Sequence, residues 1–494
     1  MINSIRNFIE KETYEIEHLM RKFVEGELDL DDYGKGLQEK SLQLVRDILV
    51  ETLETMDETI RNSAGRQKAY IVEQKGQPKE LLLPLGRIRF KRTCYISKKT
   101  GKSVYLLDKV IGLGSHQRIT MGAAAAILEE TVESSYQKGG SHASVSDQVS
   151  KETVKRLVHD TVVEMPLKEP REKKKVRYLH IEADEDHVAA QFYERKGDLK
   201  RGEDGRKNNT LMPKLVLVYE DIVEESGEKS QSKRYRLTGK RYFCGLYSGK
   251  ENEKLWEEVR DYIYSMYDWE SLETIYIAGD GAGWIKTGCE VLEKGKFVLD
   301  RFHMGKYIQR SVSHLLDSAE EVKEEIYEAI GKGDQREVRE IYKRIRKVTE
   351  KASKEKEVEE SLGYLMNNWE GIRIYQEEAG SVWGCHAEGQ VSHVLSSRMS
   401  SRPMGWSRKG AEQMSRLRAY RMNGGKIIDL LKYQKGKQKK EEEIERKEEL
   451  VKELRKRQPG RKYAEQLQGS IPGLEAHSMK WMRDLAGQGI PYIA

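Results

Sequence analysis

The chain has 494 residues, with 88 Lys or Arg against 82 Asp or Glu, a net charge of +6, and 37% hydrophobic residues. That length gives a soft expectation of two to four domains and is ample for a buried core. Apolar runs such as AAAAIL at 123–128 fall far short of a bilayer span, the N-terminus has no apolar signal core, and Cys94, Cys244, Cys289 and Cys385 form no CxxC pair. A membrane anchor, a disulfide framework and a structural zinc site are therefore not expected, and the chain reads as soluble and cytoplasmic.

Residues 1–75 read as helical, since Phe8, Ile9, Tyr14, Ile16, Leu19, Met20 and Phe23 recur at helical spacing and LQLVRDILVETLETMDETIR repeats the pattern. Residues 76–165 read as a DNA-binding region. Its first part, LLLPLGRIRFKRTCYISKKTGKSVYLLDK, alternates with period two around a KKTG turn and predicts a β-hairpin. Arg87, Arg89, Lys91 and Arg92, followed by Lys98, Lys99 and Lys102, give it a basic surface suited to tracking phosphates. Next, ITMGAAAAILEETVESSY predicts one helix ended by Gly139-Gly140. A turn near 146–149 and a second helix capped by Ser150 then suggest a helix-turn-helix, with Lys151, Lys155 and Arg156 facing a groove. An ordinary helical hairpin is the competing reading.

A proline-containing charge run at 163–174 marks the clearest boundary. Beyond it the pattern becomes α/β over 175–303. VRYLHIEAD, HVAAQFYE and KLVLVYED predict three strands with antiparallel pairing, followed by a helix, the strand ETIYIAGD, a helix and the strand KFVLD: a mixed sheet. A highly charged helical block occupies 304–383, and HAEGQVSHVLSSRM resumes at 384–430 as a helix with Val391, Val394, Leu395 and Met399 on one stripe. Residues 431–494 combine a charged, exposed helix with a tail containing a short helix around MKWMRDL.

Three acids stand at element ends. Asp184 closes the first strand of the α/β region, Asp280 closes IYIAGD, and Glu388 lies in the first turn of the late helix, close enough to the apolar stripe to face the sheet. Carboxylate oxygens are the ligands Mg²⁺ prefers, and two such ions about 3.5–4 Å apart clamp an in-line phosphoryl displacement. Singly, each acid has an ordinary reading, as a turn residue before glycine or a helix-dipole partner.

IEADEDHV, then GDGAGWIK with FVLDRFH, then HAEGQVSHVLSSRMSSRPMGWSRKGA resemble the bacterial insertion-sequence transposases of the ISLre type, within the Mutator-like DDE transposases. The resemblance implies a multidomain α+β and α/β protein with an RNase H-like mixed-sheet catalytic core interrupted by an all-α insertion bearing Trp369 and Trp383, behind the N-terminal helical, β-hairpin and helix-turn-helix region. It matches Asp184, Asp280 and Glu388 to the catalytic, metal-holding acids, with Asp300 and His303 as an accessory DxxH pair. Asp184 is preferred over Asp186 because Val188 keeps the family's spacing, although Glu182, Asp184 and Asp186 share a strand face. His303 reads as structural and positioning. His180, His386 and His393 read as satisfied polar residues. Arg398, Arg402 and Arg408 flank the Glu388 helix as candidate phosphate donors, a solvated helix end being the alternative.

The activity implied is metal-dependent cleavage and strand transfer at the ends of an insertion sequence. The expected cofactors are two Mg²⁺ ions, replaceable by Mn²⁺, with no organic cofactor. The expected partner is double-stranded DNA, both terminal inverted repeats and target, bound by a homo-oligomer at the bacterial nucleoid. An RNase H-like metal-dependent nuclease and a catalytically silent DNA-binding relative remain the alternatives.

Overall fold

A computed structural model describes residues 3–167, 169–191, 200–201, 207–225, 233–378, 380–382, 384–402 and 404–457. The expected Trp383 contribution and the tail helix around MKWMRDL lie outside them. Among the described residues no helix is long and apolar enough to cross a membrane. The chain divides into two compact units, one made of residues 1–157 and 431–494, the other of 158–430.

In the first unit, helices α1 (Thr13–Val24) and α2 (Leu30–Asn62) run antiparallel, with Asp29 capping α2 by accepting from the Asp32 amide at 2.7 Å. The helical expectation to residue 75 needs correction. A short helix ends at Ala69, and strand β1 (Tyr70–Leu83) begins on Tyr-Ile-Val, a β-branched and aromatic run. It pairs antiparallel with β2 (Gly86–Ser97), which pairs in turn with β3 (Ser103–Tyr105) across the KKTG turn. The expected hairpin is therefore the second of two. Along β2, Arg87, Arg89 and Lys91 face solvent while Ile88, Phe90 and Arg92 face inward. Arg92 cannot serve as a surface phosphate contact: it is buried, stacked 3.6 Å from the centre of the Tyr105 ring and paired with Asp108. Period-two alternation dictates its side, and the acid and ring compensate its burial.

Helices α3 (Met121–Glu133), α4 (Tyr136–Ser141) and α5 (Lys151–Asp160) follow. The long helix breaks at Ser134-Ser135, where Ser135 caps α4, and not at Gly139-Gly140. Those glycines are packing positions. A Cβ on Gly139 would stand 1.9 Å from Thr131 Oγ1, and one on Gly140 2.3 Å from the Val149 carbonyl oxygen. Ser150 Oγ accepts from the Thr153 amide at 3.3 Å at the start of α5. Ala123, Ile127, Ala143, Val154 and Leu82 form the core beneath these helices. Lys151 and Arg156 are exposed, and Lys155 is partly covered beside Glu152. The charge run after residue 431 belongs to one helix, Ile427–Arg457.

The second unit is built on a five-stranded mixed sheet. Its strands are β4 (Tyr178–Glu185), β5 (Lys214–Tyr219), β6 (Arg241–Gly245), β7 (Thr274–Gly279) and β8 (Gly295–Leu299), in the order β6-β5-β4-β7-β8. β4, β7 and β8 pair in parallel, whereas β5 alone runs the other way, pairing antiparallel with both β4 and β6. The described part of HVAAQFYE is not a strand of this sheet. Only Val188–Ala189 is extended, paired with Thr210–Leu211, and the edge position is taken by RYFCG of β6.

One sheet face, carrying Leu179, Ile181, Ala183, Ile275 and Ile277, packs on α6 (Glu251–Met266) and α7 (Gly283–Val291) through Trp256, Val259, Trp284 and Ile285. Helices α8 (Arg301–Val312), α9 (Ala319–Gly331), α10 (Gln335–Val348), α11 (Ala352–Asn367) and α12 (Trp369–Glu377) lie between β8 and α13 (Ala387–Val391) and share a separate core around Ile308, Ile326, Ile341 and Leu365. Helix α14 (Arg408–Met422) closes the unit. The molecule is thus mixed α and β, with a mixed sheet.

Candidate active site

The parallel ladder places the first two acids. Thr274 pairs with Tyr178 and Ala278 with Glu182, so continuing the register by two residues sets Asp280 level with Asp184 on the neighbouring strand. Ladder hydrogen bonds fix such a pair about 4.8 Å apart along the backbone. The turn after β7 is built to hold Asp280. Its Oδ1 accepts from the Ala282 amide at 2.8 Å, and its carbonyl accepts from the Tyr364 hydroxyl at 2.7 Å. Gly281 has φ +89, and a Cβ there would stand 2.5 Å from Asn368 Oδ1, so both conformation and space demand glycine.

On β4, Leu179, Ile181 and Ala183 point into the α6/α7 core, so His180, Glu182 and Asp184 point to the opposite face. Helix α13 packs there. Glu182 is 1% exposed, and its Oε1 accepts from Tyr219 Oη at 3.0 Å and from His386 Nδ1 at 3.1 Å. His386 is the residue before α13, so this contact ties the start of the Glu388 helix to β4. A second anchor comes from α14. The buried Arg418 donates from Nε to the Val394 carbonyl at 2.7 Å and from Nη2 to the His393 carbonyl and to Ser397 Oγ. These groups lie on the widened π-turn Ser392–Ser396, where the regular helical ladder is interrupted. Val391, Val394, Leu395 and Met399 are buried, as the stripe demands. Glu388 itself is exposed and does not face the sheet core.

Asp184 nevertheless feels the other two acids. The Asp184 carboxyl is pushed up to about 6, first by burial, with the charges of Asp280 and Glu388 adding to it. Its bond from the Glu185 amide at 2.8 Å and the proximity of His303 oppose the shift. Asp186 is engaged elsewhere, its two carboxylate oxygens accepting from Ser400 Oγ at 3.1 and 2.8 Å.

Asp300 ends β8, caps α8 through the Phe302 amide at 2.9 Å, and accepts from His303 Nδ1 at 2.8 Å. That hydrogen bond raises the His303 pKa, burial opposes it, and the charges of Asp300, Asp184 and Asp280 add to the rise. His303 therefore belongs to the same group of side chains as the acids. His180 does not take part. It is sandwiched between Tyr219 and Tyr276 at 5.2 and 5.5 Å, and burial depresses its pKa to about 4. Arg398 is corrected as well. It is buried, its guanidinium 4.9 Å from the centre of the Trp406 ring, which makes it a packing residue. Arg402 and Arg408 are exposed.

The donor chemistry fits a hard divalent cation. Asp184 lies within electrostatic reach of Asp280 and Glu388, each on a separate element, and none of the three has a Lys or Arg ion-pair partner among the described residues. Among those residues no three acid, His or Cys side chains already stand at ligating distance, and mutual repulsion is a sufficient reason for carboxylates to stay apart without a cation. Sequence reasoning missed Arg418, Tyr364 and Asn368 altogether and counted Glu182 only by strand parity. An arginine on a later helix carries no local signal that it will satisfy carbonyls some two dozen residues earlier.

The sequence model of the uncharacterised protein family UPF0236 matches residues 24–468. The chain belongs to this family. A UPF0236 protein of Caldanaerobacter subterraneus subsp. tengcongensis is 35% identical over 427 residues, covering 86% of this chain and 85% of its own. Another from the same organism is 34% identical, covering 86% and 84%, and its name joins eleven loci of that genome. Among solved structures, the Drosophila P element transposase strand transfer complex is similar over 63% of this chain and 79% of that one, at 11% identity and a TM-score of 0.17.

Proposed function

We propose that this chain is a DNA transposase of the DDE type, cleaving the ends of its own insertion sequence and joining them to target DNA. What supports the reading most is that Asp184 feels the charges of both Asp280 and Glu388, with the two aspartates at the ends of adjacent parallel strands. The strand order, with β7 and β8 parallel to β4 on one side and a reversed β5 between β4 and β6 on the other, agrees with an RNase H-like core. The all-α run between β8 and α13 agrees with an insertion in that core. A family member spread over eleven loci of one genome is what a mobile element leaves behind.

Asp184, Asp280 and Glu388 would hold Mg²⁺ or Mn²⁺. Such ions supply Lewis-acid activation of the phosphodiester and counter-charge for the attacking and leaving oxygens. The adjacent strand ends would present the two aspartates, while the Glu182–His386 contact holds the start of α13 and Arg418 holds the turn that follows it. His303, with Nδ1 held by Asp300, keeps Nε2 for a phosphate oxygen and is biased toward the charged form by its neighbours. Arg87, Arg89, Lys91, Lys151 and Arg156 would bind the phosphates of the terminal repeats, and paired ends require a multimer.

The test is a strand-transfer assay with full-length protein, the element's terminal sequences and Mg²⁺. Joined product from wild type, and none from Asp280→Ala, supports the reading. Nicking without joining favours a nuclease; binding alone favours a silent relative.

A further inference from the structure

Helix α8 carries an aromatic ring on its solvent side. Phe302 is 58% exposed, whereas Phe90 in the first unit is 1% exposed. Loose packing is not the cause. Met304, Ile308, Ser311 and Val312 form a buried inner stripe on α8, leaving Phe302, Lys306, Gln309 and Arg310 outward at helical spacing. The helix is capped by Asp300 and clamped to α11 by the parallel stack of Tyr307 on Tyr364, 3.9 Å between ring centres. The Phe302 ring stands edge-to-face to His303 at 5.5 Å, His303 is bonded to Asp300 at 2.8 Å, and the Asp300 amide donates at 2.8 Å to the carbonyl of Gly279, the residue before Asp280. A bare aromatic face thus borders the carboxylate group. Arg301 is turned to the Tyr375 ring, 4.0 Å from its centre, and Lys306 is exposed one turn on from Phe302, about 6 Å along the helix axis. A solvent-facing phenylalanine has no polar role to fill. An exposed ring with an ammonium one turn on, beside the proposed metal-holding acids, matches the chemistry of a nucleotide, with a base for the ring and a phosphate for the ammonium.

We propose that Phe302 stacks on the nucleobase next to the scissile phosphate, lifted out of its own stack, while Lys306 takes the adjoining phosphate. The proposal rests on the strand-cleaving reading above. Every base has a π-face, so the contact selects a position on the strand more than a sequence.

The experiment uses full-length protein and a terminal duplex with 2-aminopurine at the nucleotide beside the cut, bound in Ca²⁺ and then cut in Mg²⁺. Wild type and Phe302→Tyr should change the fluorescence at that position, and Phe302→Ala should not. A probe five or more nucleotides away should report alike for all three. Cleavage by Phe302→Ala should fall roughly 5- to 100-fold, the range expected for one lost base–aromatic stack, with Tyr restoring it. An abasic nucleotide at the position should erase the difference between wild type and Ala. Wild-type fluorescence and cleavage by Phe302→Ala, or an equal loss on the abasic duplex, would overturn the proposal. If wild type binds and perturbs the probe but never cuts, the stacking site stands and the transposase reading falls. If wild type shows no DNA binding, both fall.

Discussion

Asp184 and Asp280 are held differently from Glu388. The two aspartates sit at the ends of neighbouring parallel strands, whose ladder runs to Ala278 and Glu182, and the turn at Asp280 is held by the Ala282 amide and the Tyr364 hydroxyl. Glu388 rides on a five-residue helix whose place depends on a few side chains: Glu182 to His386 at one end and Arg418 on the π-turn at the other. The difference teaches that one site is built from a stiff half and an adjustable half. A mutation that leaves the sheet intact can still uncouple the third acid.

The largest effect should come from the stiff half. Asp184→Asn or Asp280→Ala should lower cleavage and joining by at least about a thousandfold, since the chemistry loses an oxygen ligand. End binding, measured by gel shift, should stay within about threefold of wild type. Stability should move the other way. The folded-state pKa of Asp184, about 6, lies above the ordinary carboxylate value of 3.8. Between those values the folded chain holds a proton that the unfolded chain has released. Stability therefore falls as pH rises from about 4 to 6 and stays low above it. Asp184→Asn should flatten that fall and raise the melting temperature at pH 7.5 by roughly 2–4 °C. Saturating Mg²⁺ should stabilise wild type and have less effect on the variant.

The adjustable half should fail more gently. His386→Ala should lower cleavage by about 10- to 100-fold with only a small drop in melting temperature, because the buried Glu182 loses one hydrogen-bond partner and keeps Tyr219. Arg418→Met should combine a similar loss with destabilisation of about 1–3 kcal/mol, as it leaves the carbonyls of His393 and Val394 without their donor. Thermal melts run beside activity separate the two. Equal, thousandfold losses for His386→Ala and Asp280→Ala would remove the distinction between the halves.

The smallest effect contrasts the two faces of β2. Arg89→Ala should weaken DNA binding a few-fold and reduce the salt slope by about one, as loss of one phosphate contact does. Arg92→Ala should leave the salt slope alone and instead lower the melting temperature of the first unit, since it strips the buried Asp108 of its partner.

Much of this was legible in the sequence because it is local. The ends of VRYLHIEAD and ETIYIAGD mark Asp184 and Asp280, the DRFH spacing marks Asp300 and His303, and the Val391–Met399 stripe marks the late helix. Strand parity also shows that Arg92 must face opposite to Arg89 and Lys91, although charge counting alone groups them together. What escaped depends on distant contacts or on competing signals. RYFCG is too short to declare itself an edge strand, whereas HVAAQFYE has the composition of a strand but its described part, residues 187–191, lacks that place in the sheet. Gly139-Gly140 read as a helix stop, but the glycines are needed for close packing against Thr131 and Val149. Arg398 reads as a surface cation until Trp406 is folded against it.

The central claim is that Asp184, Asp280 and Glu388 act as one metal-holding set. Crystals of the full chain on its terminal DNA, soaked in Mn²⁺ and measured at the manganese edge, test it most directly. The account predicts anomalous peaks contacting Asp184 and Asp280, with Glu388 drawn onto one of them and the scissile phosphate alongside. Manganese bound elsewhere, or Glu388 turned away from an occupied aspartate pair, would contradict it.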